Sequence, residues 1–120
     1  MKSILIIDDD GMNLRMAANA LKKGDYSISL AKSGKDGIEK IKENKPELVL
    51  LDAEMPVMSG MEALQIIRET DNIKDVRVAF LSGTIDEELL EKGKALNVAG
   101  FIHKPFMPEE LLEKVNSILS

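Results

Sequence analysis

Four short apolar runs, at residues 4–7 (ILII), 48–51 (LVLL), 78–81 (VAFL) and 98–102 (VAGFI, interrupted by Gly100), constrain this chain more than any other feature. They are too short for helices and lack the alternation of a strand with one face in water. A continuous apolar run of that length reads as a strand buried on both faces, which is the situation in a parallel sheet covered by helices. A fifth run, 26–31, alternates more and reads as a strand at the sheet edge.

Between the runs the apolar pattern takes a helical period. Leu14, Ala17, Ala18 and Leu21 share one face, and Lys22-Lys23-Gly24 supplies basic residues and a glycine where that helix should end. Ser33-Gly34-Lys35-Asp36 offers a cap ahead of Ile38 and Ile41, and Pro46 marks the way into the next strand. Met61, Leu64 and Ile67 form a third stripe. Thr84-Ile85-Asp86-Glu87 reads as a capping box for a fourth helix carrying Leu89, Leu90 and Leu96. Pro108 suits the first turn of a fifth, with Leu111, Leu112, Val115, Ile118 and Leu119 facing inward. Five β-α units with right-handed crossovers predict an α/β fold. It is a five-stranded, doubly wound parallel sheet, flavodoxin-like (βα)5, in strand order 2-1-3-4-5. A chain of 120 residues is one domain's worth, so residues 1–120 are expected to form a single domain.

Composition narrows the function classes. Without cysteine there is no disulfide framework, thiolate zinc site or thiol nucleophile, and the lone His103 cannot build a histidine-rich metal cluster. Cytoplasmic, reducing surroundings are the expectation. No apolar run approaches the roughly 20 residues of a membrane span, and the N-terminus lacks a signal-peptide pattern. A net charge of −5, with no block of Lys or Arg, argues against a phosphate backbone as partner. Three Phe and one Tyr leave little for base stacking.

The residues that follow each apolar run carry the chemical signal. Strand 1 ends in Asp8-Asp9-Asp10, strand 3 in Asp52, strand 4 in Ser82-Gly83-Thr84 and strand 5 in His103-Lys104-Pro105. All are carboxyl ends of parallel strands, the edge at which open α/β sheets bind ligands. Asp8, Asp9 and Asp52 gathered there would repel one another unless a cation sat among them, and hard oxygen ligands suit Mg²⁺ or Mn²⁺. With Lys104 and the Ser82 hydroxyl added, the set forms a cradle for a phosphoryl group, and Asp52 is the obvious nucleophile.

From residue 4 to residue 106 the chain resembles the receiver domain of two-component response regulators, a chemotaxis-regulator-like fold. ILIIDDD, VLLDAEMPVMSG, FLSG and GFIHKPF match its four motifs in order and spacing. The resemblance implies that Asp52 is the phosphoacceptor and that Asp9 and Asp52 bind the metal directly. It also implies the backbone carbonyl of Glu54 as a metal ligand, with Asp8 acting through water. Ser82 corresponds to the hydroxyl residue that bonds the phosphoryl group, Lys104 to its ion-pairing partner and Phe101 to the aromatic switch. A cis peptide before Pro105 is implied as well. The implied partners are a histidine kinase or histidine phosphotransfer protein and a downstream protein, with the chain a monomer or a phosphorylation-dependent dimer. Such a domain catalyses its own phosphorylation and dephosphorylation, and is a switch rather than a metabolic enzyme. Phe101 stands where relatives often carry Tyr. Glu54 and Thr84 occupy variable positions that tune the lifetime of the phosphoryl group.

Other polar residues take plainer readings. Asp10 is expected to cap the first helix. His103 is expected to be non-catalytic and to point away from the neighbours of Phe101. Met55, Met58 and Met61 read as loop and core packing, and residues 86–91 as a solvated helix face. Two rival functions exist. A Mg²⁺-dependent aspartyl phosphatase would use Glu54, two residues after Asp52, as a second acid, although 120 residues leave no cap domain. A phosphorylation-independent pseudo-receiver would normally have lost one of Asp8, Asp9, Asp52 or Lys104, all of which are present.

Overall fold

The structure, a computed structural model, describes residues 1–120. The elements are β1 (Ser3–Ile7), α1 (Gly11–Lys22), β2 (Ser27–Ala31), α2 (Gly34–Glu43), β3 (Leu48–Asp52), α3 (Gly60–Glu69), β4 (Val78–Ser82), α4 (Glu87–Ala95), β5 (Gly100–His103) and α5 (Pro108–Leu119). The strands form one sheet in the order β2-β1-β3-β4-β5, every adjacent pair parallel. The flavodoxin-like architecture expected from the apolar runs is the one observed.

The runs are continuous because successive side chains enter different cores. Ile4, Ile6, Leu48, Leu50, Ala79 and Leu81 pack beneath α1 and α5, against Leu14, Ala17, Leu21, Leu111, Val115 and Leu119. Their neighbours in sequence, Leu5, Ile7, Val49, Leu51, Val78 and Phe80, pack on the opposite face against Ile38, Ile41, Ala63, Leu64 and Ile67. Each fully buried aliphatic side chain contributes about 1.5–3 kcal/mol, so cores on both faces stabilise the central strands. β2 and β5 are the two edge strands, and the residues of β2 are mostly exposed or half-buried.

Three local expectations need correction. The cap of α4 is Asp86, whose Oδ1 accepts from the Leu89 amide at 2.9 Å. Glu87 is thus the first helical residue, too early to close a box with Thr84, which belongs to the preceding loop. The α4 face is also shallower than its leucines imply: Leu89, Leu90 and Leu96 are only half-buried, and Gly93 is the one buried residue. Second, β5 begins at Gly100 rather than at residue 98. Asn97 takes a left-handed φ of 58°, and the Val98 amide folds back onto the Gly93 carbonyl at 3.1 Å, so Val98 closes the helix. Third, the run 98–102 is not buried on both faces, because β5 lies at an edge of the sheet and only its Ile102 is buried. Past the end of α1, Asp25 rather than Gly24 takes the left-handed φ, 68°. Gly24 serves close approach instead, since a Cβ there would lie 2.6 Å from Leu112 Cδ1.

Candidate functional site

Sheet register assembles the acidic residues. Ile7 pairs with Leu51, so the next residues, Asp8 and Asp52, lie side by side at the carboxyl edge. Asp8 and Asp52 are buried, at 0% and 1% exposure, whereas Asp9 is exposed. One carboxylate oxygen of each of the three lies within 4.8 Å of the others. On the neighbouring strand Ser82 pairs with His103, and the following Lys104 amide donates to the Ser82 carbonyl at 2.8 Å. The Lys104–Pro105 peptide is cis. Lys104 Nζ lies 3.0 Å from Asp52 Oδ1 and 3.6 Å from Asp8 Oδ2. The sequence-predicted residues Asp8, Asp9, Asp52, Ser82 and Lys104 are thus gathered at one edge.

Electrostatics follow from burial. The Asp52 carboxyl is pushed up to about 6, chiefly by burial, with the charge of Asp8 adding. The hydrogen bond from Lys104 and the one from the Glu54 amide, at 3.1 Å to Oδ1, oppose that rise. Burial acts to lower Lys104, but its hydrogen bond to Asp52 and the charges of Asp8, Asp52 and Glu54 outweigh it, and the ammonium is raised above its ordinary value. Asp8 Oδ1 accepts from the Asp10 amide at 2.9 Å. Asp8 Oδ2 is buried with no hydrogen-bond partner. The two buried carboxylates, Asp8 and Asp52, thus share a single lysine.

The opposite wall is a second network. The Ser82 hydroxyl has two acceptors for its one proton, Glu54 Oε2 and the Thr84 carbonyl, the latter at 2.6 Å. Ser82 Oγ accepts in turn from the Thr84 amide at 3.2 Å, and the Gly83 amide donates to Glu54 Oε1 at 3.1 Å. Both oxygens of the Glu54 carboxylate are therefore engaged by the β4–α4 loop. Sequence reasoning singles out Glu54 as a carbonyl ligand, a lifetime-tuning position and the second acid of a rival phosphatase, but misses that its carboxylate engages Ser82 and Gly83. The available signal is an acid two residues beyond the acceptor.

Caps hold the loops that carry these residues. Asp10 caps α1, accepting from the Met12 amide at 2.9 Å, as expected. A capping box between Ser59 and Glu62, legible as S-x-x-E but missed, starts α3. Gly60 is required beside Asp52, since a Cβ would fall 2.3 Å from the Asp52 carbonyl oxygen.

Phe101 lies half-buried, stacked on Phe80 with centroids 6.2 Å apart, and its ring fills a slot over Gly93 of α4, where a Cβ would come within 2.7 Å. His103 is exposed. Contrary to expectation, it shares a sheet face with Phe101, because residues two apart on a strand point the same way. Met55, Met58 and Met61 are half-buried against the second core.

The family model for the response regulator receiver domain matches residues 4–116. The chain belongs to the response regulator receiver family. This receiver is 31% identical over 118 residues to the chemotaxis protein CheY of Bacillus subtilis, covering 98% of this chain and 97% of that one. Its fold matches the chemotaxis protein CheY4 of Vibrio cholerae with a TM-score of 0.92 at 27% identity, covering 98% of both chains. It is also 31% identical over 117 residues to the hybrid signal transduction histidine kinase D of Dictyostelium discoideum, of which it spans only 8%. Receivers of this kind therefore occur both as nearly whole proteins and as small parts of large ones. No helix is long and apolar enough to cross a membrane.

Proposed function

We propose that this receiver accepts a phosphoryl group on Asp52, in a divalent-cation-dependent reaction, from the phosphohistidine of a histidine kinase or phosphotransfer protein or from a small acyl phosphate. One observation carries the reading: Asp52 is buried with Oδ1 held by Lys104 and by the Glu54 amide. That arrangement leaves Oδ2 to act as nucleophile. Oδ2 attacks phosphorus, and the P–N bond breaks with its electron pair going to the ring nitrogen, which leaves as neutral imidazole from the protonated donor. Lys104 balances charge on the transferring oxygens, and the Ser82 hydroxyl and Gly83 amide supply donors across the cleft. Hydrolysis reverses the state: water attacks phosphorus, the acyl O–P bond breaks, and the carboxylate and inorganic phosphate are released.

The residues present fit a hard divalent cation. Asp8 Oδ2 is a buried acceptor without a hydrogen bond, with only the Lys104 ammonium 3.6 Å away, and the donor set is all oxygen. Asp9, Asp52 and the Glu54 carbonyl would hold Mg²⁺ or Mn²⁺, with Asp8 acting through water. Bound there, the ion supplies charge neutralisation for the phosphoryl oxygens. The signal would leave through Ser82 and Phe101 to the face formed by α4, β5 and α5, where a downstream protein docks. The Glu54 carboxylate is engaged by Ser82 and Gly83 rather than poised as the second acid that a phosphatase needs.

Incubation of the protein with Mg²⁺ and acetyl phosphate should add one phosphoryl group, read by intact mass and labile to hydroxylamine. Asp52→Asn should remain unmodified. Phosphorylation of that variant at another residue would overturn the assignment.

A further inference from the structure

The Glu54 side chain lies where an anion is wanted. Its two carboxylate oxygens engage the Ser82 hydroxyl and the Gly83 amide, donors at the carboxyl end of β4 that directly follow Leu81, the register partner of Asp52. Those are the donors that a phosphoryl group on Asp52 would need. Asp52 itself contacts the backbone of the same residue, through the Glu54 amide at 3.1 Å. We infer that the Glu54 carboxylate is a resident stand-in for the phosphoryl group, an internal anion that occupies Ser82 and Gly83 in the resting protein and competes with the phosphoryl group for them.

This inference rests on the reading of Asp52 as acceptor and fixes how one further residue acts on it. Two anions cannot share one hydroxyl proton and one amide, so the phosphoryl group must displace Glu54. The displaced carboxylate has somewhere to go: it borders an open, solvent-filled cleft of about 330 Å³ between α3 and α4, whose other charged lining residues are Asp86, Glu88 and Lys92. Glu54 is exposed, so its hydration can be regained without disturbing the core. A further consequence concerns the loop. Ser82 is drawn inward before any phosphorylation, by Glu54, so phosphoryl transfer exchanges one anion for another at the loop instead of creating the contact afresh.

Beryllium fluoride with Mg²⁺, a non-covalent mimic of the phosphoryl group, supplies the test. Its half-saturation concentration would be measured by NMR titration of wild type, Glu54→Ala and Glu54→Gln. Competition predicts that Glu54→Ala binds about tenfold more tightly, a difference equivalent to about 1.4 kcal/mol. Glu54→Gln, which keeps the size and an acceptor but loses the charge, should fall between. The Gly83 amide should be protected from hydrogen exchange in resting wild type, lose protection in resting Glu54→Ala, and regain it when beryllium fluoride binds. Equal affinity in all three proteins, or weaker binding by Glu54→Ala, overturns the competition while leaving Asp52 as the acceptor. Absence of beryllium fluoride binding in all three, together with an unmodified Asp52 after acetyl phosphate treatment, overturns the functional reading beneath it.

Discussion

A carboxylate that is buried beside another carboxylate favours its proton, and Asp52 shows the consequence for stability. Its folded-state value of about 6 lies above the ordinary 3.8. The folded protein therefore binds more protons than the unfolded chain between those values, and stability falls as pH rises through that window. A rise of that size corresponds to roughly 3 kcal/mol at most. In metal-free protein, Asp52→Asn should lose this dependence, so the variant becomes more stable than wild type above about pH 6 and the difference narrows towards pH 4. Urea denaturation across that range, with chelator present, checks it; parallel pH profiles for the two proteins would show that Asp52 does not carry the strain. Asp8, Asp9, Asp52, Ser82 and Lys104 were all legible as chemistry because each ends an apolar run. The engagement of the Glu54 carboxylate was not, because its partners Ser82 and Gly83 lie 28 and 29 residues away.

Loops and helix ends show where local sequence and tertiary demand diverge. Val57, in the loop between β3 and α3, holds a φ of 68° with its side chain fully exposed. The Met58 amide donates to the Pro56 carbonyl at 2.8 Å, so Val57 is the central residue of a γ-turn with positive φ. That conformation costs a β-branched residue roughly 1–3 kcal/mol, and an exposed side chain recovers nothing by packing. Val57→Asn should therefore stabilise the fold by about 1 kcal/mol, raising the melting temperature by a few degrees; an unchanged or lower melting temperature would show that the loop does not hold this conformation in solution. At α4 the capping signal was legible but misplaced by two residues, since both Thr84 and Asp86 are competent caps. What decided between them was the hydrogen bonding of Thr84 to Ser82 Oγ, a contact that keeps residue 84 in the β4–α4 loop.

Across the whole molecule, the fold concentrates negative charge at one edge of the sheet and leaves it undercompensated. A ligand that binds only the folded state stabilises it by mass action, with the gain growing as the logarithm of its concentration. Mg²⁺ should therefore raise the melting temperature in a concentration-dependent way. Asp9→Ala should abolish the effect more completely than Asp8→Ala, because in the proposed metal site Asp9 would touch the ion and Asp8 would reach it through water. Thermal denaturation over a Mg²⁺ series reads this directly. Equal responses from wild type and Asp9→Ala would remove Asp9 from the metal site.

The architecture and most of the acidic site follow from local patterns in the amino-acid sequence. A strand buried on both faces must be apolar at every position, and a helix on a sheet must be apolar at every third or fourth, so the two periods are written locally. The parallel direction of the strands then places every run's last residues at the carboxyl edge. Tertiary structure alone decided which polar groups meet across that edge: that Lys104 spans Asp8 and Asp52, that Phe101 rests on Gly93, and that Glu54 engages Ser82 and Gly83. These contacts join residues far apart in the chain, and they depend on side-chain reach and loop conformation that no local period encodes.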